Sequence, residues 1–157
     1  MKGIQFLPQF IPLVLSGQKT MTRRVIKDRI EQFIDGKPYA LCKKGCCIQE
    51  IKPRYQPGEI VYVKDNRFTS EAKSKGKLQI LNVRVERLQK ISHDDCIAEG
   101  TRECAGHKEF ELREQRLTVA QLAYSYLWDS ISKEYPWSSN PLVFAYEFKP
   151  IPSSDEA

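Results

Sequence analysis

The chain has 157 residues and a mass of 18.2 kDa, enough for one domain that buries roughly 70% of the surface its unfolded chain exposes. Apolar residues make up 41%, charged residues 29% and aromatic residues 10%, a composition that excludes a collagen-like fibre and a wholly disordered chain. No run reaches the roughly 20 apolar residues of a membrane-crossing helix. The apolar stretch 4–15 is broken by Pro8 and Pro12 and lacks a basic leader, so the expectation is a protein of the cytoplasm with no membrane contact.

Residues 2–7 read as a first strand, and 8–16 as a short helix whose prolines fall near its start, where they are tolerated. Gly17 follows as the left-handed residue that ends it. Residues 18–26 are rich in β-branched side chains and read as a strand, with Thr20, Thr22 and Arg24 on one face and Met21, Arg23 and Val25 on the other. Residues 27–54 hold Gly36, Pro38, Gly45 and Pro53 with weak periodicity. They read as an insertion with a short helix at 28–34. Gln56-Pro57-Gly58-Glu59 is a turn leading into a strand at 60–64. A polar loop at 71–77 precedes a long strand at 78–88, with Leu78, Ile80 and Asn82 opposite Leu81, Val83 and Val85.

Ser92 opens a short helix with Asp94 and Asp95 in its first turn, and Gly100 closes it. Thr118 and Gln121 form a capping box flanked by Leu117 and Leu122, and Leu117, Ala120, Tyr124, Leu127 and Ile131 recur at helical spacing. Residues 142–149 alternate as a closing strand, Val143, Ala145 and Glu147 opposite Phe144, Tyr146 and Phe148, and the tail 151–157 is expected to fray. The expected architecture is a single α+β domain over residues 1–150, a small and mostly antiparallel β-barrel of five to six strands with flanking helices.

Charge is uneven along the chain. Residues 1–90 carry 19 Lys and Arg against 8 Asp and Glu, a net of +11, while 91–157 carry 6 against 12, a net of −6. A basic half suits a polyanion, whose phosphates release counterions when neutralised, and equally suits a solvated surface. Five cysteines in a chain without a secretory leader argue against a disulfide framework. Cys42, Cys46 and Cys47 cluster, while His93 and Cys96, then Cys104 and His107, sit three apart. Zinc sites usually present two clean pairs, and the adjacent Cys46–Cys47 pair suits one tetrahedron poorly. Unliganded thiols, with no metal and no cofactor, are therefore expected; a zinc-bearing interaction module is the alternative.

Four blocks, in order, carry a resemblance. They are Leu15-Ser16-Gly17-Gln18-Lys19-Thr20-Met21-Thr22-Arg23-Arg24; Tyr55-Gln56-Pro57-Gly58-Glu59; Val85-Glu86-Arg87-Leu88 through Ile91-Ser92 with Ala98-Glu99-Gly100; and Leu127-Trp128-Asp129-Ser130-Ile131 with Asn140-Pro141 and Tyr146-Glu147-Phe148. Together they resemble the ASCH domain family in its bacterial and prophage type, whose barrel is similar to that of PUA RNA-binding domains. The resemblance spans almost the whole chain except 27–54. It implies a cleft beside the helix after the first strand, with RNA, a nucleotide or a modified nucleoside as partner.

The ASCH relatives that hydrolyse N4-acetylcytidine imply roles at matching positions: Thr22 as nucleophile, Lys19 as its activator and Glu99 as proton shuttle. For Lys19 to act as a base near neutral pH its pKa must fall well below the ordinary value, through desolvation or repulsion from a cation such as Arg24. Thr20, Arg23 and Arg24 stand beside this set, where an arginine can clamp a phosphate or a carbonyl oxygen. Asp65 and Phe68 lie in Lys64-Asp65-Asn66-Arg67-Phe68, where bacterial members carry an Arg-Glu-Thr-Trp-like stretch. Tyr55 and Phe68 are candidates to line the cleft. Trp137, in a serine-rich loop, is the candidate for stacking a base, whereas Trp128 is expected in the core. The same cleft also permits a ribonuclease, a ribose 2′-hydroxyl attacking with Lys19 as base and Arg24 as charge stabiliser, although no histidine pair accompanies it.

Overall fold

In the computed structural model, which describes residues 1–101, 109–112 and 115–153, the chain opens with strand β1 (Gly3–Gln5). Proline stops it. Pro8 enters a 3₁₀ turn, and helix α1 (Ile11–Ser16) follows with Pro12 in its first turn, where a missing N–H costs nothing. Gly17 ends α1 at φ 82°, the left-handed conformation that a Cβ would strain. Strand β2 (Met21–Val25) starts later than the β-branched run suggests. The reason is that the Lys19 N–H donates to Leu13 O (2.9 Å) and the Thr20 N–H to Ala98 O (2.8 Å), which holds both residues in the turn after α1.

The insertion folds as a sheet, and residues 28–34 hold no helix. Strand β3 (Gln32–Ile34) pairs with β4 (Lys37–Leu41), and β4 with β5 (Ile48–Glu50), all antiparallel. Asp35 at φ 52° and Gly36 at φ 76° make the two-residue turn between β3 and β4. Two consecutive left-handed residues match the twist of a hairpin, and Asp-Gly is the sequence that favours them, so turn chemistry overrides helical propensity here.

Strand β6 (Ile60–Lys64) occupies the expected residues, and β7 (Lys77–Arg87) follows the polar loop. Helix α2 (His93–Ala98) starts where the Ser92 hydroxyl accepts from the Asp95 N–H (3.0 Å). Strand β8 (Glu109–Leu112) pairs antiparallel with β9 (Gln115–Thr118). Helix α3 (Val119–Ile131) then opens on a complete capping box. The Thr118 hydroxyl accepts from the Gln121 N–H (3.2 Å), and the Gln121 side-chain oxygen accepts from the Thr118 N–H (2.8 Å). Strand β10 (Leu142–Ile151) closes the chain and still pairs at Pro150 and Ile151, so order extends into the expected tail.

The main sheet runs β1-β6-β7-β10-β2, with β1 parallel to β6 and every other pair antiparallel. The fold is thus α+β with a mixed five-stranded sheet and a separate three-stranded one. Strands β1 and β2 stand at the two ends of the order, and no ladder joins them among the described residues. Helix α1 connects them in sequence, and Arg24 reaches from β2 to donate to Gln5 O (2.6 Å) at the end of β1.

Between β7 and β10 the register slips, Glu147 facing Asn82 and Phe148 facing Ile80, which leaves Leu81 as an extra residue. Strict alternation separates Leu78 and Ile80 from Val83 and Val85. The bulge turns all four toward the same core, and Leu81 is left exposed. Strand β10 serves two cores at once. Phe144, Tyr146 and Phe148 pack with Ile4, Val61 and Ile80, while Val143 packs with Leu88, Ile91 and Tyr124 beneath α2 and α3.

Candidate functional site

The site is assembled where the turn after α1 meets the end of α2. The Thr20-to-Ala98 backbone bond draws those two segments together and brings Lys19 against Glu99, 80 residues away in sequence. Lys19 Nζ donates to Glu99 O (2.7 Å) and to Glu99 Oε2 (2.9 Å), with the two side chains only 5% and 4% exposed. The other carboxylate oxygen, Oε1, accepts from Arg23 Nη1 (3.0 Å). Arg23 Nη2 donates to Asp95 Oδ2 (2.9 Å) and to Glu86 Oε1, and Arg84 Nη2 also donates to Asp95 Oδ2 (2.8 Å). Arg23 Nε is buried without a hydrogen-bond partner among the described residues.

Next to this network, Arg24 donates from Nε to Thr22 Oγ1 (3.3 Å), and its guanidinium lies 5.4 Å from the centre of the Phe6 ring. Arginine carries no acceptor, so the Thr22 oxygen receives that bond and its own proton is left for another acceptor. Lys19 Nζ sits 5.1 Å from the Phe10 ring centre. Burial holds the Lys19 pKa below its ordinary value against the opposing pull of Glu99, and the Arg24 and Arg23 charges push it the same way as burial. Burial likewise lowers Arg24, whereas Glu99 and Glu86 outweigh burial at Arg23 and raise it.

These groups line a cavity of about 500 Å³. Lys19, Thr22, Arg24 and Glu99 form its polar wall, and Phe10, Tyr124, Trp128 and Tyr135 supply aromatic surface. Trp128 Nε1 donates to Tyr135 O (2.7 Å), which ties the ring to the turn after α3. Lys27, Lys133 and Glu134 are exposed and form charged rim positions.

The sequence candidates divide. Lys19, Thr22, Arg23, Arg24 and Glu99 come together at this one cavity. Thr20 does not line it and contributes through its backbone. Tyr55 is buried below β1, where its hydroxyl donates to Gly3 O (2.8 Å) and its ring meets Tyr146 edge-on. Asp65 belongs to a shallow hollow with Thr69, Lys73 and Lys75, and Phe68 is 78% exposed beside Arg67.

Of the two tryptophans, Trp128 is in the core as expected and Trp137 departs from its expected place. Trp137 is 2% exposed in the second core, edge-on to Tyr124, because its backbone N–H donates to Asp129 Oδ1 (2.7 Å) and folds the loop back onto α3. Trp128, 8% exposed in that same core, also lines the cavity. Phe10 carries no sequence signal of its own, while Tyr124 and Trp128, four apart on α3, give the same signal as a core stripe. They form the core edge and the cavity wall together.

A second cluster lies in the insertion. The ligand atoms of Cys42, Cys46 and Cys47 lie within 4.8 Å of one another, the one such group of three found among the described residues. Hydrogen bonds from the Cys47 thiol and from the backbone at Cys46 and Cys47 bring Cys42 down to about 6. His93 and Cys96 are buried in α2, with His93 Nδ1 3.3 Å from Thr118 Oγ1. Cys104 and His107 lie outside the described residues.

No family model matches the chain, and no curated protein matches it. Solved structures do. A protein of the DUF984 family from Enterococcus faecalis V583 is 13% identical, with 96% of this chain and 80% of that one covered at a TM-score of 0.53. An ASCH domain from Lactobacillus crispatus JV V101 is 17% identical, with 88% and 68% covered at 0.45. A hypothetical protein is 15% identical, with 96% and 100% covered at 0.48. At 13% identity the likeness to the Enterococcus protein is one of fold alone.

Proposed function

We propose that the protein binds one nucleoside unit, free or as an unpaired nucleotide of RNA, in the cavity lined by α1, β2 and α3. The observation that carries this reading is a cavity of about 500 Å³ in which aromatic rings and buried cations share one wall system. Its size falls within the roughly 300–1,000 Å³ of small-ligand sites. A nucleobase calls for a π-face to stack on and for fixed donors toward its ring carbonyls. Phe10, Tyr124 and Trp128 offer the first; Lys19 and Arg24 offer the second. Lys27 and Lys133 at the rim suit a phosphate.

Calorimetric titration with nucleosides and short single-stranded RNAs at several salt concentrations tests the reading. Saturable binding is expected, weakened about tenfold or more by Arg24→Ala. Absence of binding to every nucleoside and RNA at low salt refutes it.

The contact of Lys19 with Glu99 beside the Thr22 hydroxyl favours a second reading, hydrolysis of the acyl amide of an N4-acylated cytidine. The residue roles rest on the resemblance to the ASCH amidohydrolases. Thr22 Oγ1 attacks the acyl carbon while neutral Lys19 takes its proton. The C–N bond then breaks, and the N4 amine leaves with a proton relayed through Lys19 and Glu99. Water splits the resulting ester to release the carboxylic acid and restore Thr22. Arg24 Nε, bonded to Thr22 Oγ1, keeps that oxygen directed into the cavity.

Because Lys19 must be neutral, the rate rises with pH up to its lowered pKa, below the ordinary 10.5. Chromatography of N4-acetylcytidine incubated with the protein reads cytidine release, and Thr22→Ala is expected to slow it about 100-fold or more. An unchanged rate in that variant removes Thr22 from the reaction.

A further inference from the structure

The three-stranded sheet of the insertion has little core of its own. Phe33, Ile34, Leu41 and Ile48 are all exposed; Pro38 is buried, Ala40 packs partly against the main core, and Ile51 beyond the last strand is buried in it. Small elements that bury so little apolar surface commonly depend on a crosslink or a metal. At the tip of this sheet the loop from β4 to β5 turns back on itself. The Cys42 N–H donates to Cys47 O (2.8 Å), the Gly45 N–H donates to Cys42 O (2.9 Å), and Gly45 takes φ 71°. The turn brings Cys42 and Cys46 Sγ to 3.5 Å, and all three sulfurs lie within 4.8 Å of one another.

We propose that Cys42, Cys46 and Cys47 bind one zinc ion as three thiolates, with water in the fourth position, and so clamp the β4–β5 hairpin. Sulfurs on one tetrahedral zinc, each at about 2.3 Å from the metal, stand roughly 3.8 Å apart, close to the spacing already present. Adjacency of Cys46 and Cys47, awkward in an extended chain, is accommodated because the left-handed Gly45 turns the loop before them. Lys43 and Lys44 lie in the same loop and offset the negative charge of three thiolates. Cys46 and Cys47 are exposed, which gives the ion a path in. Three thiols and one hydrated Zn²⁺ yield a trithiolate zinc–water centre and three protons released to the buffer, with no change of oxidation state.

The test uses the full chain, freed of metal and kept reduced by a phosphine. Zn²⁺ is titrated in competition with a chromophoric chelator, and Co²⁺ is titrated by absorption. One equivalent of each is expected, with a thiolate-to-cobalt charge-transfer band that zinc abolishes. Cys42→Ser, Cys46→Ser and Cys47→Ser each weaken binding about tenfold or more. The triple substitution removes the band, although Cys96 and Cys104 remain. Hydrogen exchange at the amides of Cys42 and Gly45 in the unaltered chain slows when zinc is added, a readout that does not depend on any variant folding. Failure of the unaltered chain to take up an equivalent of zinc, or a cobalt–thiolate band that persists in the triple variant, overturns the proposal.

Discussion

Glu99 gives one carboxylate oxygen to Lys19 and the other to Arg23, and all three side chains are buried. Taking away such a partner leaves two cations facing each other out of reach of water. Glu99→Ala is therefore expected to lower stability by about 3–5 kcal/mol in urea unfolding. At the exposed Glu134 the same change is expected to stay within about 0.5 kcal/mol. Asp95, on the outer side of the network, responds to pH. Burial pushes its carboxyl up, but hydrogen bonds from Arg84 and Arg23 together outweigh burial and hold it below the ordinary 3.8. A folded pKa below the unfolded one gives stability that is present above 3.8 and is lost as pH falls through the lowered folded value. Unfolding curves of the protein and of Asp95→Asn should therefore be separated at neutral pH, with the native protein the more stable, and should converge in acid.

At the scale of elements, caps and turns did most of the local work. Thr118 and Gln121 satisfy each other's backbone at the start of α3, so Thr118→Ala is expected to cost about 1 kcal/mol by chemical unfolding. Such caps were legible in the sequence because each acts over three or four residues: Gly17 after α1, Ser92 before α2 and the capping box before α3. Asp35-Gly36 is an equally local signal: it makes the hairpin turn directly after residues 28–34, where a short helix was expected. The bulge at Leu81 was not legible. Nothing within β7 marks it; the slip exists only against β10, where Glu147 and Phe148 pair with Asn82 and Ile80. Trp128 and Trp137 illustrate the same limit, since the Asp129 side chain that folds the loop over Trp137 acts through a tertiary bend.

For the whole molecule, the charge asymmetry takes on a different meaning in three dimensions. The basic first half and the acidic second half meet as ion pairs, Lys19 with Glu99 and Arg23 and Arg84 with Asp95. Part of the +11 thus holds the two halves together rather than attracting a polyanion, while Arg24 in the cavity wall and Lys27 and Lys133 at its rim stand outside these ion pairs. A nucleoside bound there at 100 times its dissociation constant adds about 2.7 kcal/mol to stability, so thermal unfolding should shift upward by several degrees. That shift is expected to be nearly independent of salt for a nucleoside and to shrink with salt for an RNA, whose phosphates compete with counterions.

The sequence by itself determined the elements whose ends are set by neighbouring residues, and the four blocks carried a resemblance to the ASCH domain family. Together with the resemblance it also supplied Lys19, Thr22, Arg24 and Glu99 as candidates for one cleft, but without their contacts. Only the tertiary structure decided that Lys19 and Glu99 touch across 80 residues, that Trp128 rather than Trp137 borders the cavity, and that three cysteine sulfurs converge at one hairpin tip. The physical reason is range. Caps and turns are fixed by backbone groups a few bonds away, whereas a cavity is fixed by strand register and by hydrogen bonds such as Thr20 to Ala98, which no local period encodes.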